Sequence, residues 1–181
     1  MNRLKNSLCY LCGAMDRVQD GGAGWRENIT PKLKKMGVGV LNPCDKPSDY
    51  GLENQETRDL LESLKRSGSY DKVTEYMKPI CAIDLRMVDN AHFIVMSIDV
   101  DAHLCGSYHE AAVAISQKKP VVVMCKQGKK NLPTWMFGVI PHEMVFSNWN
   151  EVLEYLNHIN EDEDAKHQNR WRFFDWEKVY V

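Results

Sequence analysis

Two nearly continuous apolar runs, HFIVMSI at residues 92–98 and PVVVMC at residues 120–125, constrain this chain more than any other feature. A strand with one face in water alternates apolar and polar residues. A run without that alternation belongs to a strand covered on both sides, as in parallel sheets whose crossover helices lie over both faces. The remaining segments fit that scheme. A first strand is predicted over residues 7–12, ending at Gly13, with a loop containing DGGAG behind it. A helix follows from Trp25 to Met36, with Trp25, Ile29, Leu33 and Met36 at helical spacing and Gly37 as its C-cap. VGVLNP (38–43) reads as a short strand stopped by Asn-Pro. A polar helix is predicted near 55–66, broken by Ser-Gly-Ser. A second helix begins near Val73 or Lys78, with Pro79 starting or kinking it, and runs to Asn90. After the run at 92–98, a helix from near Ser107 leads into the run at 120–125. A short strand at 144–146 and a helix over 148–159 complete the alternation.

This alternation predicts a doubly wound, flavodoxin-like α/β fold, with a five-stranded parallel sheet and helices on both faces. With 181 residues, the chain is expected to form a single domain. Within it, 44–78 is a polar helical insertion, 161–169 a charged linker and 170–181 an aromatic C-terminal segment. The composition is 44% hydrophobic and 27% charged, with a formal net charge of −2. It gives no basic face of the kind that nucleic acid requires. No apolar run approaches the roughly 18 residues of a membrane span. The start, MNRLKNSLCYLCGAM, has a faint look of a signal peptide, but its apolar part is short and turns at glycine, so it is read as the first strand. A cytoplasmic location is expected, with no nucleic-acid and no membrane partner. The six cysteines are scattered and expected to be reduced. Cys9 and Cys12 form a C-x-x-C, but residues i and i+3 of a strand point to opposite faces, so no metal site is expected there.

In such a sheet, ligands bind beyond the carboxyl ends of the strands where the strand order reverses, here between the first and third strands. The loops at that point, GAMDRVQDGGAG and DVDAHLCGSYHE, are long for strand-to-helix connections. Glu110 lies in the second of them and admits two readings. Ser107-x-x-Glu110 matches a capping box, in which the two side chains satisfy free helix amides reciprocally. A carboxylate in a first helical turn is also stabilised in its ionised form, as a nucleophile requires. A carboxylate that attacks an anomeric carbon needs an acid to protonate the leaving group. Candidates are Asp84, Asp89, Asp99 and Asp101. Asp84 stands out inside the apolar PICAIDLRMV, although a pairing with Arg86 would also account for it. Asp99 and Asp101 face the same way and suit a sugar hydroxyl. Tyr10 and Gly13 sit at the end of the first strand. DGGAG lacks both G-x-G-x-x-G and a P-loop, yet Arg26 just beyond it suits an anionic group. Trp25, Gly106 and Ser107 are grouped with these as substrate contacts, and His103 and His109 flank the same loop.

YLCGAM, VLNP, DLRMVDNAHFIVMSID and GSYHEAAVAISQKKPVVV, taken in order, resemble the nucleoside 2-deoxyribosyltransferase family, whose relatives include 2′-deoxynucleoside 5′-phosphate N-hydrolases. KKNLPTWMFGV is similar to that family's asparagine-bearing loop, and RFFDWEKVYV to its aromatic C-terminal segment. The resemblance implies a doubly wound five-stranded sheet, Glu110 as nucleophile, Asp84 as general acid and Tyr10 positioning the nucleophile. It also implies that Asn131 is donated to a neighbouring subunit's site, and hence a homo-oligomer, a dimer or higher. The family's terminal tyrosine falls near Tyr180, here followed by Val181. Its sugar-binding aspartate falls on Leu104, leaving Asp99 or Asp101 for that role. Segment 44–78 is longer than in the small transferases and is a place for substrate selection.

The activity implied is cleavage or exchange of the N-glycosidic bond of a (2′-deoxy)nucleoside, with a nucleoside or nucleotide and a free nucleobase as small-molecule partners and no cofactor. A transferase, a hydrolase of nucleoside 5′-monophosphates and a non-catalytic nucleotide-sensing module stand as alternatives. A redox protein using Cys9 and Cys12 is a further one.

Overall fold

The computed structural model describes residues 2–15, 18–46, 54–161 and 170–174. Five parallel strands, β1 (Leu8–Gly13), β2 (Gly39–Leu41), β3 (Phe93–Ile98), β4 (Val121–Cys125) and β5 (Val145–Phe146), form one sheet in the order β2-β1-β3-β4-β5. The doubly wound α/β fold expected from the alternation is therefore present, including the reversal between β1 and β3. Register runs through Tyr10↔Ile94, Cys12↔Met96 and Gly13↔Ser97. Every residue of β4 is buried, as are Phe93, Ile94, Val95, Met96 and Ile98 of β3, which is what two unalternating apolar runs require.

The helices are α1 (Ala23–Lys35), α2 (Gln55–Arg66), α3 (Tyr70–Asn90), α4 (Cys105–Ser116), α5 (Met136–Val139) and α6 (Trp149–Glu161). On one face of the sheet α3 packs against α4, and both reach β1. On the other, α1 and α6 meet where Trp25 stacks on Trp149 at 5.1 Å between ring centroids. α1 closes as expected: Gly37, at φ 77°, and Val38 return their amides to Lys34 and Leu33. α2 closes the same way through Gly68 and Ser69, which bond back to Lys65 and Leu64. That turn folds α2 onto α3 as a helical hairpin.

Three helix starts differ from expectation. α1 begins two residues before Trp25. α4 begins at Cys105, before Ser107. α3 begins at Tyr70 and continues through Pro79 without ending there. A proline removes one amide donor, and the half of α3 that follows Pro79 is held by a buried stripe of Ile80, Asp84, Met87 and Val88.

The described part of the aromatic C-terminal segment packs against the start of β3, at the end of the sheet away from Gly13. Trp171 is buried against Phe93, at 5.0 Å between centroids, and donates its Nε1–H to the Tyr155 hydroxyl at 3.1 Å. Tyr180 and Val181 lie outside the described residues, as does most of the charged linker. Among the described residues, no helix is long and apolar enough to cross a membrane.

Candidate active site

The chain leaves β1 for β2 on one side and returns to β3 on the other, which opens a crevice above the carboxyl ends of β1 and β3. A cavity of about 490 Å³ lies there, within the range of small-molecule sites. Its floor is Gly13, Ala14 and Met15 leaving β1, with Gly106, Ser107 and Glu110 of α4. Its outer wall is the α2–α3 hairpin, apolar through Leu61, Val73, Met77, Ile80 and Leu85, with Arg58, Glu62 and Lys65 as its charged members. Segment 44–78, expected to bear on substrate selection, thus supplies much of the lining.

Strand alternation sends Tyr10 and Cys12 to the α4 face of β1. Both are fully buried. The Cys12 thiol lies 3.2 Å from Glu110 Oε2 and 3.3 Å from the Ser107 carbonyl oxygen, so it can donate to either. Burial, and then the Glu110 carboxylate, push this thiol well above its ordinary pKa. Burial followed by the carboxylates of Glu110 and Asp84 does the same to the Tyr10 phenol. Both groups therefore keep their protons at neutral pH, and the Cys12 thiol meets Glu110 as a donor. The Tyr10 hydroxyl makes no hydrogen bond of good geometry.

The capping box expected at Ser107-x-x-Glu110 does not form. Leu104 is the N-cap, no side chain caps α4, and its first turn holds no acidic residue. Because the helix starts earlier, Glu110 falls in the second turn and faces β1 and the cavity.

Asp84 occupies the buried stripe of α3, where an apolar residue is the norm. Its partner is not Arg86, which is exposed, but Lys46. Lys46 Nζ lies 2.9 Å from Asp84 Oδ1, with side-chain exposures of 0% and 9%. The contact is a charge pair without the angle of a good hydrogen bond. Nothing in the sequence near residue 46 announced this partner, because the two residues meet only when the segment after β2 folds against α3.

Arg26 requires a correction. It is fully buried, and its guanidinium donates to the carbonyl oxygens of Leu11 (3.2 Å), Gly13 (2.8 Å), Gly22 (2.7 Å) and, more weakly, Ala14 (3.5 Å). It ties the end of β1 to the start of α1 and is not an anion contact. The DGGAG amides are likewise occupied: Asp20 accepts from Gly22 N and Gly24 N, both at 2.9 Å. Those two amides hold the Asp20 carboxyl below its ordinary pKa.

Other expected substrate contacts stand apart from the cavity lining. Trp25 packs on Trp149 and beneath the Arg26 guanidinium. Asp99 pairs with Lys126 at 2.7 Å and Gln127 at 2.6 Å, and Asp101 shares Gln127 at 3.0 Å. Both are held to the end of β4. Asn131 is exposed and donates to the Gln127 carbonyl at 2.5 Å. Gly13 has a packing reason of its own, since a Cβ there would stand 2.9 Å from the Trp25 ring and 3.0 Å from the Ser97 carbonyl oxygen. Cys9 and Cys12 are free thiols, buried and raised in pKa by that burial, so they lack the thiolate character that redox exchange requires.

No protein-family model matches the sequence, and no curated protein does. Among solved structures, the chain is similar to a 2-desoxiribosyltransferase from Leishmania mexicana, with 14% identity over 67% of this chain and 66% of that one, just under two thirds, and a TM-score of 0.44. It is also similar to the CMP N-glycosidase BcmB of Clostridium botulinum, with 15% identity over 83% of this chain and 98% of that one, and a TM-score of 0.49. The first of these carries the name of the transferase family that the sequence motifs resemble. At such identities and TM-scores, what those two proteins act on does not transfer to this chain.

Proposed function

We propose that the cavity cleaves the N-glycosidic bond of a (2′-deoxy)nucleoside or its 5′-monophosphate. The observation that carries this reading is the meeting of two carboxylates, Glu110 and Asp84, at one cavity, with the buried Tyr10 phenol beside both. In the proposed reaction, a Glu110 carboxylate oxygen attacks C1′ and the bond to the base nitrogen breaks through an oxocarbenium-like transition state. The electron pair leaves with the base, and the acid form of Asp84 protonates it. Cys12 and Tyr10 orient the Glu110 carboxylate for attack. Water or a second free base then attacks C1′ of the glycosyl-enzyme, releasing Glu110 and giving hydrolysis or transfer. The chemistry needs no cofactor. Asn131, exposed outside the cavity, suits a role in the site of a second copy, so a homo-oligomer belongs to this proposal, as does a cytoplasmic setting.

A second reading, a nucleotide-sensing module, is favoured by one observation: Asp84 is ion-paired with Lys46. One assay separates the two. The protein is incubated with 2′-deoxynucleosides and their 5′-monophosphates, with and without a second free base, beside Glu110→Gln. Free base or exchanged nucleoside formed only by the native protein is expected. Ligand-induced thermal stabilisation with no product at any substrate would replace the enzyme by the sensor.

A further inference from the structure

A lysine with a fully enclosed side chain is rare unless its charge is used, and the Lys46 ammonium meets Asp84 at 2.9 Å. We infer that Lys46 is a positioning residue for Asp84, fixing the side chain at the cavity wall and keeping it a carboxylate while the site is empty. This rests on the glycosidase reading for its catalytic consequence, but not for its electrostatics.

Other charged and titratable groups lie beside Asp84, line the same cavity or, as Cys12 does, touch Glu110. β1 contributes Tyr10 and Cys12, α4 contributes Glu110 and His109, and the approach to α4 contributes His103. Across the cavity, α2 contributes Arg58, Glu62 and Lys65. The Glu110 carboxylate disfavours a second negative charge, and burial does the same. Lys46 is the enclosed cation among these groups, and at 2.9 Å it opposes both effects directly.

The consequence for the reaction is specific. Asp84 must carry a proton when the glycosidic bond breaks. It passes that proton to the base nitrogen, which receives the bonding electron pair, and is left as a carboxylate beside the ammonium. In the second half, that carboxylate accepts a proton from the attacking water as the C1′–Glu110 bond breaks, and Glu110 leaves as a carboxylate. Lys46 thus stabilises the form of Asp84 that the first step produces and the second step uses. It also makes the acid form scarce in the empty enzyme, so kcat/KM declines as pH rises through the titration of Asp84.

Two measurements on full-length Lys46→Met, Lys46→Arg, Asp84→Asn and the Lys46→Met/Asp84→Asn double variant test this. In pH profiles of kcat/KM, Lys46→Met is expected to move the alkaline limb up by about 1–3 pH units, with Lys46→Arg staying near the native profile. A folded Lys46→Met protein with an unmoved limb would overturn the inference. Thermal melts against pH need no substrate. A carboxylate held ionised by Lys46 gives stability that is present above its unfolded pKa, about 3.9, and lost as pH falls. Without the ammonium, the buried carboxyl favours its neutral form, so its contribution falls as pH rises. The Asp84-dependent stability, native minus Asp84→Asn, should therefore rise with pH, whereas Lys46→Met minus the double variant should fall. The same sign in both differences would refute the pairing role, even if no substrate were turned over.

Discussion

Replacing Arg26 by methionine isolates the effect of its guanidinium, because the aliphatic stem is retained. The guanidinium makes two short hydrogen bonds, 2.7 and 2.8 Å to Gly22 and Gly13, and one of 3.2 Å to Leu11. The 3.5 Å contact to Ala14 adds little. Hydrogen bonds involving a charged group contribute about 1.5–3 kcal/mol each, and the cost of enclosing the charge offsets part of that sum. Removing the guanidinium leaves up to three enclosed carbonyl oxygens without that donor, at about 1–3 kcal/mol each before relaxation, so a net loss of about 3–5 kcal/mol is expected. At about 2–4 °C per kcal/mol for a chain of this length, the melting temperature of Arg26→Met should drop by about 6–20 °C. Circular dichroism melts and urea titrations on the same preparations measure it. A variant that melts with the native protein, and differs only in losing affinity for anionic ligands, would refute the clamp and return Arg26 to the ligand.

Three further outcomes are expected. A Cβ at Gly106 would meet no protein atom within 4 Å; Gly106→Ala should therefore gain up to about 1 kcal/mol of helix stability, while KM for any ligand approaching this end of α4 rises, as melts and steady-state kinetics would reveal. Lys118 closes α4 at φ 59°, a conformation that costs a non-glycine residue about 1 kcal/mol, so Lys118→Gly should raise the urea midpoint. Asp20, lowered by the Gly22 and Gly24 amides, gives stability that is full above its unfolded pKa of about 3.9 and disappears as pH falls through the lower folded value. The melting difference between native and Asp20→Ala should close over that acid range, and a difference that widened there would contradict the assignment.

The strands were legible because burial on both faces leaves an unmistakable run, as at 92–98 and 120–125, and glycine caps such as Gly37 mark helix ends through backbone sterics. Helix starts were less so. Ser107-x-x-Glu110 offered a good cap, yet the chain turns into helix at Cys105 without side-chain help, a choice made by packing against β1 and β3. Glu110, Gly106 and Ser107 were legible because loop length and strand order point to that end of the sheet, whereas Asp84 stood out as a charge inside an apolar helix and through the family resemblance. Lys46 was not legible, since its pairing depends on a long-range contact that leaves no periodic trace. Arg26 misled for a related reason: an arginine beside a glycine loop has the same local sequence whether its donors meet a ligand or the loop's own carbonyls.

The two halves of the cavity are not equally committed to the fold. Glu110 and Cys12 are anchored to a sheet whose central strands are almost wholly buried, whereas α2 has no buried residue and packs on α3 alone among the helices with extensive contacts to it. Substitutions along α2 at Leu61 or Thr57 therefore alter the shape offered to a ligand at small cost to overall stability, while the chemistry beneath stays fixed. Diversification among chains built on this plan should accumulate in that hairpin, with new ligand preferences arising before any change in reaction type.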